Sequence, residues 1–123
     1  MSRRTDLEFL DDIVDRIEAA KIAEKLLIES EGDLLRTSFD AILYDLLVIG
    51  EAVKGLSREI TERNSHVPWK AIAGMRDVLA HDYFRVIADV VRTTLDEPLE
   101  ILKGVCLSEL SRIRKGSSAP NAR

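Results

Sequence analysis

Few side chains in this chain of 123 residues can do chemistry, because it holds two histidines, His66 and His81, and a single cysteine, Cys106. One segment concentrates the candidates: Gly74-Met75-Arg76-Asp77-Val78-Leu79-Ala80-His81-Asp82-Tyr83-Phe84. Arg76 offers a planar, permanently charged fork suited to a phosphate. His81, with an unperturbed pKa of about 6.5, can take or give a proton near neutrality. Metal-free cleavage of RNA needs that combination: one group moves protons to and from the 2′-hydroxyl and the leaving oxygen, while a fixed cation stabilises charge on the phosphorane. Five positions apart in a continuous helix, the two side chains would sit about 140° apart around the axis. They can meet one ligand only if the helix ends or distorts near Ala80. The helical pattern fades between Leu79 and Val86, so a turn is expected there.

Spacing by itself leaves a bland alternative open, in which Arg76 pairs with a neighbouring carboxylate and His81 caps a helix end. Tyr83 taken alone reads as a half-buried packing residue. His66 reads as an exposed loop residue before Val67-Pro68, and Cys106 as a small buried hydrophobe in a reduced setting. A zinc site usually needs three or four ligands, so neither metal nor cofactor is expected. The sequence contains no glycine-rich phosphate loop and no Gly-x-Ser-x-Gly elbow.

The elements that must position the segment are helical. Thr5-Asp6-Leu7-Glu8 reads as a capping box. Behind it Leu10, Ile13, Ile17, Ala20 and Leu27 form one apolar stripe, interrupted at Ala23/Glu24, and predict a helix from about residue 6 to about 30 that Gly32 ends. Phe39, Ile42, Leu43, Leu46, Ile49, Val53, Leu56 and Ile60 predict a second helix kept on one face for some six turns and fraying near Asn64-Ser65. Gly50 within it suggests a close backbone approach, at a cost of roughly 1 kcal/mol relative to Ala. Pro68 suits the first position of a short third helix carrying Trp69, Ile72 and Leu79. Val86, Ile87, Val90, Val91 and Leu95 support a fourth. Pro98 opens a fifth, with Leu99, Leu102, Cys106, Leu110 and Ile113 on one face. The fold class is all-α, an antiparallel bundle of four to five helices over residues 1–114, with 115–123 a disordered tail.

The formal charge of −4 is uneven: residues 1–35 carry a net −5, 36–92 balance, and 93–123 carry +1. A protein coating nucleic acid through its phosphates normally shows a basic excess, so contact with RNA should be local and no DNA binding is expected. Met1-Ser2-Arg3-Arg4 is followed at once by acidic residues, and no apolar run approaches the ~20 residues of a membrane span. A cytoplasmic location is expected.

Ile49-Gly50-Glu51-Ala52, Val67-Pro68-Trp69 and the string Gly74 to Phe84 together resemble the HepT family of the HEPN superfamily, whose signature is Arg, four residues, His, any residue, Tyr. The resemblance runs over roughly residues 5 to 113. Arg85 departs from it, standing where family members often carry Gly, which makes that turn more basic and less pliable. The resemblance implies a homodimer with two Arg–His pairs facing across a cleft, so that two imidazoles serve as base and acid. It implies an RNA-cutting toxin with Arg76 and His81 catalytic and Asp77 supporting. It also implies a partner, the MntA nucleotidyltransferase antitoxin, that moves AMP from ATP onto Tyr83. Charge and bulk two residues from His81 would then block substrate. Glu51 falls on the helix expected to line the cleft and receives no role. Two other readings stay open: a non-catalytic module that binds a nucleotide or docks the nucleotidyltransferase, and a purely structural dimerisation domain.

Overall fold

A computed structural model of the chain describes residues 4–29, 31–74 and 97–118, and every regular element among them is a helix. Helix α1 spans Asp6–Glu29. Its start follows from the capping box: the Glu8 N–H donates to Thr5 Oγ1 at 3.3 Å, and the Thr5 N–H donates to Glu8 Oε1 at 3.0 Å. Two of the donors that a helix N-terminus leaves unpaired are thus satisfied reciprocally. Leu10, Ile13, Ile17, Ala20 and Ala23 are all buried, so Ala23 continues the stripe where the sequence suggested a gap.

After a short break, Gly32 adopts φ +63 and opens α2, Gly32–Gly55. That left-handed backbone is one glycine enters without a Cβ penalty. Helices α1 and α2 lie antiparallel, as the pairs Arg16 on Asp45 and Asp6 on Ser57 show. The long second helix expected from the sequence is two helices. Leu56 and Ser57 are both extended, and α3 follows at Arg58–Arg63. The break has a tertiary cause: the Ser57 N–H donates to Asp6 Oδ1 at 2.9 Å, diverting a donor from the helical ladder. Leu56 and Ile60 are buried on either side of it, so apolar periodicity runs unbroken through a broken backbone.

Residues 69–74 are helical. The Pro68 carbonyl accepts from the Ile72 N–H at 3.0 Å. Pro68 therefore caps this turn and Trp69 is its first helical residue, one position later than expected.

The last helix, α4, covers Glu97–Ser118 with Leu99, Leu102, Cys106 and Leu110 inward, as the spacing predicts. It runs past Arg114, where the sequence reading ended the domain. Lys115 in its last turn suits the negative end of the helix dipole. Helix α4 lies antiparallel to α1, joined by Asp11–Arg114, Glu18–Lys103 and Lys21–Glu100. Among the described residues, twenty apolar side chains form a single core. Each large aliphatic side chain buried there contributes about 1.5–3 kcal/mol.

Candidate functional site

Arg76, Asp77, His81 and Tyr83 lie outside the described residues, as do the expected turn near Ala80 and the expected fourth helix. What the structure places is the approach to them, residues 58–74, and the scaffold that holds it.

That approach is fixed by one indole and one carboxylate. Trp69 Nε1 donates to the Thr61 carbonyl at 3.1 Å and to the Asn64 carbonyl at 3.0 Å, so the ring caps the C-terminal end of α3. Val67 and Ile72 are buried, and Trp69 and Ala73 pack against the same core. These contacts set the direction of the 69–74 helix. His66 is exposed in the connecting turn, the position its sequence context implied.

Beneath this turn Glu109 of α4 is buried and accepts three hydrogen bonds. Arg63 donates through Nε at 3.1 Å and Nη2 at 2.9 Å, and Asn64 Nδ2 donates at 2.9 Å, while Arg112 Nε stands 3.8 Å away. The paired geometry with Arg63 is the strong, planar kind. Asn64 also donates to the Ile60 carbonyl at 2.9 Å, tying the end of α3 into the same cluster. Hydrogen bonding from Arg63 outweighs burial and holds the Glu109 carboxyl below the ordinary value. The charge is fully partnered, so this cluster positions and does not react.

Sequence reasoning missed Glu109, Arg63 and Asn64. The signal was present: Glu109 continues the inward spacing of Leu102, Val105 and Cys106, and a charge on a buried stripe requires partners. Asp45 repeats the pattern in α2, buried and bonded by Arg16 Nη1 at 2.9 Å. There desolvation outweighs the guanidinium and raises the carboxyl. Cys106 is wholly buried, and burial pushes its thiol up to about 12, which leaves it inert. Among the described residues no group of three or more His, Cys, Asp and Glu could hold a metal ion. No helix among them is long and apolar enough to cross a membrane.

The model of the ribonuclease HepT-like family matches residues 10–108, a span enclosing both the described scaffold and the Arg76–Tyr83 segment. The chain belongs to this family. Three relatives illustrate its HepT-like neighbours. A protein of Caldanaerobacter subterraneus subsp. tengcongensis, named "Putative RNase", is 50% identical over 53% of this chain and 59% of its own length. A "Gamma-glutamylcyclotransferase and putative RNase" of Methanocaldococcus jannaschii is 31% identical over 89% of this chain and 50% of its own. A "Probable ribonuclease HepT" of Thermococcus cleftensis is 32% identical over 83% of this chain and 93% of its own. The chain thus spans between half and three fifths of the first two relatives and nearly all of the third. No solved structure matches it.

Proposed function

We propose that this HepT-like chain is a toxin that cuts RNA without a metal, using Arg76 and His81 of two subunits at a shared cleft. The family match across residues 10–108 carries the reading, because it embraces the Arg76–His81 segment, which sets a cation suited to phosphate close to a titratable imidazole. In this mechanism one His81 takes the proton of the 2′-hydroxyl, which attacks phosphorus. The His81 of the second subunit protonates the departing 5′ oxygen, leaving a 2′,3′-cyclic phosphate and a free 5′-hydroxyl. Arg76 holds the charge that builds on the non-bridging oxygens. Asp77 is a supporting residue of the same site.

Control comes from an MntA-like nucleotidyltransferase. The Tyr83 hydroxyl attacks the α-phosphorus of ATP, loses its proton and releases pyrophosphate, and the AMP ester then fills the anion site. The pair works in the cytoplasm.

The test is expression of the chain alone, followed by RNA cleavage by the purified protein in excess EDTA. Growth arrest and cleavage are expected, and His81→Ala should abolish both while the protein stays folded. An alanine variant as toxic as the parent would sink the catalytic reading and favour a binding module. Co-expression with the antitoxin should add the mass of AMP, and Tyr83→Phe should prevent it.

A further inference from the structure

The second part of α4, residues 103–118, sets four cations, Lys103, Arg112, Arg114 and Lys115, against a single carboxylate, Glu109, in a chain whose net charge is −4. Lys103 meets Glu18 and Arg114 meets Asp11, both on α1. Glu109 accepts from Arg63 and Asn64 at the end of α3, and Arg63 also meets Glu59 at 3.5 Å. Arg112 is held more loosely. Among the described residues the carboxylate it meets is Glu109, with Nε 3.8 Å away, beyond hydrogen-bond length. The Arg112 side chain is 62% exposed and that of Glu109 3% exposed. Arg63 and Asn64 have thus taken this carboxylate from within, which leaves the charge of Arg112 at the surface.

Arg112 lines a hollow of about 410 Å³ together with Ser108, Ser111 and Lys115. Steps of three, one and three put the four on one face of α4, over roughly 10 Å of its length. All are exposed. Each can donate hydrogen bonds, two as neutral hydroxyls and two as cations, and among the described residues no carboxylate lines the hollow. Such a lining suits an oxyanion, because a guanidinium fork matches two phosphate oxygens and the hydroxyls add neutral donors. Ser108 to Arg112 precede the last turn of α4, and the negative end of a helix dipole loses its influence within one turn. No apolar side chain lines the hollow among the described residues, so it favours a phosphodiester strand over a lipid surface, which would call for apolar insertion.

We infer that this face of α4 is a phosphate-binding subsite for the RNA strand, with Arg112 as its main contact and Ser108 and Ser111 as added donors. The inference rests on the proposed reading that RNA is the substrate. It lets a chain of net acidic charge hold a polyanion through a few phosphates at one place. Arg112 has no part in the proposed proton transfers, so it should act on affinity and not on the cutting step.

The probe is a fluorescein-labelled single-stranded RNA with 2′-O-methyl groups, which lacks the attacking hydroxyl and stays intact. Its binding to the full chain is followed by fluorescence anisotropy over a range of salt. The parent is expected to bind. Arg112→Gln should weaken binding by about threefold or more and flatten the salt slope by about 0.7, the value for one phosphate of a single strand. Arg112→Lys, which keeps the charge and loses the fork, should keep the slope and part of the affinity. Arg114→Gln removes a like charge two residues away and should change binding less. With unmodified RNA, Arg112→Gln should raise KM and leave kcat alone.

An Arg112→Gln variant with parental affinity and slope overturns the inference. So does an equal loss in Arg114→Gln, which would mean diffuse charge and no site. A parent that binds no strand also overturns it, as does an Arg112→Gln loss seen with phosphatidylserine vesicles and not with RNA. If the parent cuts RNA and Arg112→Gln binds as the parent does, the subsite falls and the nuclease reading stands. If the strand is held through Arg112 and unmodified RNA is never cut, the subsite stands and the nuclease reading falls.

Discussion

Glu109 and Asp45 are both buried carboxylates held by an arginine, yet acid should act on them in opposite directions. Glu109 is lowered from its ordinary 4.5 because Arg63 bonds its charged form. Its stabilisation is therefore present at and above that value and is lost as pH falls through the lowered one. Glu109→Gln is expected to cost about 1–3 kcal/mol at pH 7, with a deficit that shrinks as the parent is acidified. Asp45 is raised above 3.8, chiefly by desolvation against the pull of Arg16. Its ionisation costs stability as pH climbs from 3.8 through the raised value. Asp45→Asn should thus match or exceed the parent at neutral pH, its advantage appearing only above the acid range, while Arg16 keeps its 2.7 Å contact with Asp15. Thermal melts of both variants between pH 3 and 7, followed by circular dichroism, check the pair. An Asp45→Asn protein that melts well below the parent at pH 7 alone would mean that the guanidinium prevails over burial.

At the level of elements, the junction of α2 and α3 depends on where one aromatic ring sits. A Cβ at Gly55 would overlap the Phe9 ring of α1. Ala is otherwise favoured over Gly inside a helix by about 1 kcal/mol. Gly55→Ala is nonetheless expected to destabilise by about 1–3 kcal/mol, the usual cost of overpacking, and Phe9→Leu in the same chain should recover most of that. Urea midpoints of the two single variants and the double variant measure the coupling. A Gly55→Ala protein more stable than the parent would show that the ring moves aside freely. The close approach expected at Gly50 is described only as burial, whereas the one at Gly55 went unforeseen. Composition marks a glycine, but only the neighbouring helix says why it is there. The same holds for the break at Leu56–Ser57. Its apolar spacing is perfectly helical, and it is a carboxylate from α1 that takes the Ser57 N–H out of the ladder.

For the molecule as a whole, association and activity should be linked through concentration. If two copies pair as the proposed mechanism requires, the melting temperature should rise with protein concentration, because dilution favours dissociation. If each cut needs an imidazole from both subunits, exchanging parent with inactive His81→Ala should lower activity as the square of the parent fraction. A linear fall would mean that one subunit suffices. The sequence alone determined the capping box at Thr5, the inward stripes of α1 and α4, the exposure of His66, the burial of Cys106 and the family. These depend on local hydrogen bonds, on the period of the helix, or on a run of residues read in order. Only the tertiary structure decided that Glu109 binds Arg63 and Asn64, that Asp45 binds Arg16, and that α2 stops at Gly55. Partners distant in the chain meet only when helices pack, and helical spacing specifies which face turns inward without specifying what will be waiting there.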